Sequence, residues 1–301
     1  MSQASTLDTI RRLKAEQGAV ILAHNYQVPE VYEAADFIGD SLELARQAAS
    51  TGAKLIIFAG VRFMAETAKL LNPGARIILA APDAGCQMAD MISAEGLRRR
   101  RAELGDVTVV AYVNTPADVK AESDVCCTSA NAVKVVNSLP RDRRILFVPD
   151  RNLAAYVARE TGRELIPWEG FCYVHAGFRV EDVARARAEH PNARVVVHPE
   201  CPLAVIDAAD AVASTSGMLR LAREFGEVVL GTEAGMCARV GRDAPGVTCW
   251  PLRRSALCRN MKLTALADVL AALEGRVPEI AVPEAVAGRA RSAIERMLAI
   301  P

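Results

Sequence analysis

Residues 19–45, AVILAHNYQVPEVYEAADFIGDSLELA, begin with a β-rich apolar run that stops at the polar cluster His24-Asn25-Tyr26. Pro29 then opens a short helix, where a missing N–H costs nothing. A short extended piece follows, and a hydroxyl residue, Ser41, opens another helix. The same layout returns in VTVVAYVNTPADVKAESDVCCTSANAV (107–133) and RVVVHPECPLAVIDAADAVASTSGML (194–219). There the first runs end at Tyr112-Val113-Asn114 and His198-Pro199-Glu200, followed by Pro116 and Pro202 and by the hydroxyls Ser129 and Thr215. In each copy the hydroxyl lies 17 residues beyond the strand-end residue, counted from His24, Tyr112 and His198.

Outward from these segments the repeat continues. Apolar runs at 54–59, 145–149 and 227–231 each lead into a helix, and a last strand in each copy (76–81, 164–168, 246–250) leads towards a cysteine. Those cysteines, Cys86, Cys172 and Cys258, are separated by 86 residues in both steps. Apolar runs alternating with amphipathic helices imply parallel strands and crossover helices. The expected fold is therefore α/β: three pseudo-symmetric Rossmann-like parallel-sheet domains around a central cavity. The expected units are 1–90, 91–178 and 179–301, the last closed by C-terminal helices at 264–274 and 284–298.

Bulk properties narrow the function. Apolar residues make up 51% of 301, enough for a real core, and 36 basic residues balance 36 acidic ones. No global field favours nucleic acid or an anionic membrane. Apolar runs such as 19–23 and 107–113 are strand-length and too short to span a bilayer. MSQASTLDTIRRLKAE reads as a capped helix without the apolar core of a signal peptide, so the expected location is cytoplasmic. The eight cysteines are then expected to be reduced thiols, some of them ligands. Cys126, Cys127, Cys237 and Cys249 fit small core residues, whereas Cys201, following His198-Pro199-Glu200, could be either a core residue or a border of the site.

Ligands of open α/β sheets sit beyond the carboxyl ends of the strands. A three-fold arrangement aims the polar clusters and the hydroxyls Ser41, Ser129 and Thr215 at one cavity. Helix N-termini capped by Ser or Thr suit anions, so the expected substrate carries several carboxylates or phosphates. Cys86, Cys172 and Cys258 each lie in a loop before a helix (AGCQMAD, GFCYVHAG, LCRNMKL) and could deliver three thiolates to that cavity. Three thiolates suit zinc or an iron–sulfur cluster. Paired CxxC knuckles are absent, and a [4Fe–4S] cluster with one iron lacking a cysteine is compatible with three distant ligands. Such an iron could act as a Lewis acid. His24, His175 and His198, three of the four histidines, fall in these loops, whereas His190 looks like a helix C-terminal residue. With Tyr26, Tyr112 and Glu200 they supply proton donors and acceptors.

Eight blocks in order, LAHNYQVPEVYEAADFIGDSLELA, FAGVRFMAETAKLLNP, AYVNTPADVKAESDVCCTSANAV, PDRNLAAYVA, GFCYVHAGF, HPECPLAVIDAADAVASTSGM, GTEAG and NMKLT, carry a family likeness. Over nearly its whole length the chain resembles quinolinate synthase, the iron–sulfur enzyme of bacterial NAD biosynthesis. The resemblance implies a central [4Fe–4S] cluster held by Cys86, Cys172 and Cys258 with one open iron. It implies condensation of iminoaspartate with dihydroxyacetone phosphate to quinolinate, phosphate and two waters. An aspartate oxidase or dehydrogenase would supply the iminoaspartate. The implied active-site positions are His24, Tyr26, Ser41, Tyr112, Asn114, Ser129, His175, His198, Glu200 and Thr215. A CxxCxxC run that some relatives carry near the last ligand is absent here, which removes the basis for a redox switch there. The alternative with the same cluster logic is an iron–sulfur hydro-lyase acting on another polycarboxylate. An electron-transfer protein would normally use four cysteines, a zinc hydrolase would hold zinc, and GxGxxG and GxxxxGK[ST] loops are absent.

Overall fold

A computed structural model describes residues 3–300. The first unit runs α1 (Gln3–Gln17), β1 (Ala19–His24), α2 (Pro29–Tyr32), β2 (Phe37–Gly39), α3 (Ser41–Ser50), β3 (Leu55–Ala59), α4 (Arg62–Leu71) and β4 (Arg76–Leu79). The second repeats that order as α5 (Ala94–Leu104), β5 (Thr108–Tyr112), α6 (Ala117–Ala121), β6 (Val125–Cys127), α7 (Ala132–Ser138), β7 (Ile145–Val148), α8 (Arg151–Thr161) and β8 (Ile166–Pro167). The third repeats it again: α9 (Val180–Glu189), β9 (Arg194–Val197), α10 (Leu203–Ala208), β10 (Ala211–Val212), α11 (Thr215–Phe225), β11 (Glu227–Gly231), α12 (Met236–Asp243) and β12 (Thr248–Pro251). Each unit forms its own four-stranded sheet, ordered β2-β1-β3-β4, β6-β5-β7-β8 and β10-β9-β11-β12, and every pairing is parallel. The fold is α/β with three Rossmann-like units, as the repeat predicts.

The central strands carry unbroken apolar runs because helices cover both faces of each parallel sheet. Leu55–Ala59 and Ile145–Val148 are buried at every position. A single aspartate reinforces the repeat. Asp36, Asp124 and Asp210 each precede the second strand of a unit. Each carboxylate accepts the backbone N–H of a first-strand residue 15 positions earlier, from Ile21 at 2.8 Å, Val109 at 2.7 Å and Val195 at 2.7 Å. Each aspartate N–H also donates back to the carbonyl of that same residue. The register of the edge strand is thus set by the same device three times.

Two expectations need correction. The C-terminal helices α13 (Leu266–Leu273) and α14 (Glu284–Leu298) do not close the third unit. α13 packs on α1, α2 and β3 of the first unit, while α14 packs on α4, α6 and β6 of the first and second. The reason lies in α14's buried stripe of Ala287, Ala290, Ala293, Ile294 and Met297, whose small residues let it lie close against both. Secondly, Cys237 and Cys249 are not free core thiols but a disulfide joining α12 to β12, with Cα atoms 5.4 Å apart. Among the described residues, no helix is long and apolar enough to cross a membrane.

Candidate active site

One cavity is lined by loops from all three units, and every site residue expected from the sequence is on its wall. His24 and Tyr26 come from the end of β1, Tyr112 and Asn114 from the end of β5, and His198 and Glu200 from the end of β9. Ser41, Ser129 and Thr215 follow the second strands, and Cys86, Cys172 and Cys258 lie in loops after the fourth. His175 sits one turn beyond Cys172. Cys201, open between core and site border in the sequence, is buried in the third unit's core with its thiol on the Gly231 carbonyl.

The three hydroxyls differ from expectation in one respect: none of them is the helix cap. Asp40 caps α3, its carboxylate accepting the N–H groups of Leu42 and Glu43 at 3.0 Å each. Ser214 caps α11 through Gly217 N–H. Before α7 the Asn131 side chain turns back to Thr128 N–H at 2.7 Å. Since neighbours cap α3 and α11 and no side chain caps α7, Ser41, Ser129 and Thr215 keep their hydroxyls for other partners. Thr215 Oγ1 accepts from Asn25 Nδ2 at 2.9 Å, leaving its own proton to donate. Arg239 Nε, at 3.0 Å from Asn25 Oδ1, fixes which way that amide is turned. Asn114 Oδ1 is buried without a hydrogen-bond partner in the protein, an acceptor available on the cavity wall.

Glu200, 3% exposed, collects the polar side chains. Tyr112 donates to Oε1 at 2.6 Å and His175 Nδ1 lies 2.9 Å from Oε2. The carboxylate can only accept, so the His175 proton is on Nδ1. His198 Nδ1 accepts Glu200 N–H at 3.3 Å, which leaves its Nε2–H to donate to Ser129 Oγ at 3.2 Å. His24 Nδ1 likewise accepts Tyr26 N–H at 3.2 Å, so His24 carries its proton on Nε2. Burial holds the His24 and His198 imidazoles down at about 3, with Lys262 and His175 respectively adding to it, so both rings are neutral near pH 7. Burial alone would push the Glu200 carboxyl up, but its histidine and tyrosine neighbours outweigh that and hold it below the usual range. His198 is neutral, so the donors that count are His175 Nδ1–H and the Tyr112 hydroxyl. Tyr26 and Tyr112 remain phenols, since burial first and Glu200's charge besides push both well above their ordinary range.

The three thiols share a local design. Backbone N–H groups just downstream face each sulfur: Met88 and Ala89 for Cys86, His175 for Cys172, Asn260 and Met261 for Cys258. Burial pushes Cys86 up to about 12 and Cys172 well above its ordinary range, and it raises Cys258 as well. Alone, these groups stay protonated thiols; a cation is what would hold them as thiolates. Cys172, His175 and Glu200 also bring ligand atoms within 4.8 Å of one another, a set that could hold a metal ion.

Residues 8–299 match the family described as quinolinate synthetase A protein. The chain is 54% identical to the quinolinate synthase of Desulforudis audaxviator over 293 residues, covering 97% of both chains. It is 54% identical to that of Methanoregula boonei over 295 residues, again 97% of both, and 46% identical to that of Alkaliphilus metalliredigens over 303 residues, 100% of both. The chain belongs to the quinolinate synthase family.

In this member of the quinolinate synthase family several residues around the cavity escaped the sequence reading. Asp150, fully buried after the cis Val148–Pro149 bond, caps α8 through Leu153 N–H at 2.7 Å and accepts Cys172 N–H at 3.1 Å. Glu233 accepts Cys258 N–H at 3.4 Å and pairs with Lys262 at 3.1 Å, while Lys262 also donates to the Tyr26 carbonyl. That pair ties the Cys258 loop of the third unit to the Tyr26 loop of the first. Gly235 makes the approach possible, since a Cβ there would lie 2.5 Å from Lys262 Nζ. Thr232 bridges Tyr26 and His175. The one available signal was position: Asp150, Thr232 and Glu233 all follow the third strand of a unit, where strand-end residues face a cavity.

Proposed function

We propose that this protein is a quinolinate synthase that condenses iminoaspartate with dihydroxyacetone phosphate, releasing phosphate and two waters, in NAD biosynthesis. The observation that carries the reading is the meeting of three part-buried thiols, one from each unit, with the Glu200 hydrogen-bond network on a single cavity wall. Cys86, Cys172 and Cys258 would hold a [4Fe–4S] cluster. Their soft donor set, their protonated state without a cation and the N–H groups facing each sulfur all suit that group. In the neighbouring Cys172–His175–Glu200 set, by contrast, His175 and Glu200 already bond each other, Thr232 and Tyr112. When bound, such a cluster supplies one iron without a protein ligand, a Lewis acid for substrate oxygen.

The reaction needs no oxidant or reductant, because the atoms of the two substrates equal those of quinolinate, phosphate and two waters. What it needs is proton movement and anion binding. Ser41, Ser129 and Thr215, with Tyr112 and Asn114, would hold the carboxylates and phosphate. Tyr26, a phenol, and neutral His24 Nε2–H would polarise the ketone of dihydroxyacetone phosphate and assist its enolisation. The enamine form of iminoaspartate supplies the carbon nucleophile, and its nitrogen later closes the ring. Glu200, ionised and buried, is the base for the proton removed in the late dehydrations, with His198 beside it. His175 holds Glu200 and lies near the thiols.

Anaerobic protein supplied with dihydroxyacetone phosphate and with iminoaspartate made from oxaloacetate and ammonia should yield quinolinate, read by chromatography. No quinolinate, with dehydration of a different polycarboxylate instead, would replace this reading by the hydro-lyase.

A further inference from the structure

The three cysteine loops open to solvent as well as to the cavity. Cys86, Cys172 and Cys258 are each part-buried, and the residue after each, Gln87, Tyr173 and Arg259, is exposed. A group held by these thiols therefore lies close to the surface, and the residues around it decide how firmly it stays. Of the three, Tyr173 reaches across a unit boundary. Its hydroxyl lies 3.2 Å from the Leu257 carbonyl and 2.9 Å from the Arg259 backbone nitrogen, on either side of Cys258. The same hydroxyl is hydrogen-bonded to the Cys258 sulfur. Three successive residues of the third unit's ligand loop thus meet one oxygen from the second unit's.

The direction of each bond follows from chemistry. Arg259 N–H can only donate and the Leu257 carbonyl can only accept, so the hydroxyl accepts from the first. Its single proton is left for the carbonyl or the sulfur. At 3.2 Å the carbonyl contact is long for an O–H donor. A thiolate competes well for that proton, because hydrogen bonds to an ionised partner are about twice as strong as neutral ones. Once Cys258 is held as a thiolate, the Tyr173 proton belongs on its sulfur, with Arg259 N–H fixing the oxygen. The other boundaries between ligand loops are tied by Asn260 Nδ2 on the Gly85 carbonyl at 2.9 Å and Trp168 Nε1 on the Met91 carbonyl at 3.0 Å. Tyr173 is the tie that also bonds a ligand sulfur. At 36% exposed, and lining the cavity as well, it faces solvent on one side and the thiols on the other.

We propose that Tyr173 is a positioning residue for the cluster, strapping the Cys172 loop to the Cys258 loop and donating its hydroxyl proton to the Cys258 sulfur, so that iron is lost to solvent more slowly. This rests on the [4Fe–4S] assignment made above. The strap acts in two ways. It removes freedom from the Cys258 loop, so that a sulfur released from iron stays in place to bind again. It also places a donor on a ligand sulfur, which favours the more negative, reduced form of a cluster and raises its reduction potential. No proton or electron is consumed; the hydroxyl keeps its proton throughout.

The test compares wild type with Tyr173→Phe, which keeps the ring and removes the hydroxyl. Both are reconstituted anaerobically and given an excess of a ferrous chelator, and iron release is followed by the colour of the chelate. The Phe variant should release iron about tenfold faster. Its cluster should also reduce at a more negative potential, titrated by electron paramagnetic resonance, a shift that a purely structural role would not produce. Iron release at the wild-type rate, or an unchanged potential, would overturn the proposal. A wild type that takes up no iron overturns the cluster assignment instead, and the apoprotein then still tests the strap. Iodoacetamide should alkylate Cys258, followed by peptide mass spectrometry, faster in the Phe variant than in wild type. Equal rates there would overturn the strap as well.

Discussion

Glu200 is the acceptor at the centre of its network, taking the Tyr112 hydroxyl proton on one oxygen and His175 Nδ1–H on the other. A glutamine there would bring an amide that must donate where Tyr112 and His175 already donate. Glu200→Gln should therefore lower quinolinate formation by at least about a hundredfold while iron content persists, as rate assays with iron analysis can check. The neutral imidazoles carry a pH signature. His24 is held at about 3 in the folded chain, against about 6.5 when unfolded. Between those values the unfolded state binds the extra proton, so this stability is whole above pH ~6.5 and drains as pH falls towards 3. Urea unfolding at pH ~7 and ~4.5 should show wild type losing more stability on acidification than His24→Asn; equal losses would contradict the buried neutral ring. At this scale the cysteines, histidines, tyrosines and Glu200 were legible because their spacing repeats. Thr232 was not, since its partners lie 206 and 57 residues away and GTEAG reads locally as a turn.

Among elements, the first turns of α3 and α11 present Ser41 and Thr215 to the cavity because Asp40 and Ser214 do the capping. Asp40→Ala should cost about 1 kcal/mol by thermal or urea unfolding, with a rise in substrate KM as α3 frays. Unchanged stability would mean that Glu43, which reaches back to Asp40 N–H at 3.0 Å, holds the turn alone. Sequence could place the helix starts but not the cap, for Asp40-Ser41 and Ser214-Thr215 are adjacent residues that both cap well. The strands were legible as buried apolar runs between turn residues. The alternation with helices implied parallel pairing, whereas the order within each sheet appears only in the structure, where the repeated aspartates tie the edge strand to the first strand three times over.

The whole molecule is held together by elements that cross between units, and these were the least legible. An apolar stripe says that α14 is buried, not against which unit, because that depends on surfaces far away in the chain. Ala293, fully buried on the packed face of α14, should tolerate no added bulk. Ala293→Leu should cost about 1–3 kcal/mol, read by unfolding, through overpacking rather than lost contacts. The Cys237–Cys249 pairing was equally hidden, since spacing does not reveal connectivity. The central cavity itself was legible, because three copies of one unit sharing an axis must bring their strand ends together. The decisive measurement is iron, sulfide and quinolinate on anaerobically purified wild type beside Cys86→Ala, Cys172→Ala and Cys258→Ala. About four irons per wild-type chain, with quinolinate formed and both lost in each variant, is the expected result. An iron-free wild type after anaerobic reconstitution, or variants that keep cluster and activity, would contradict it.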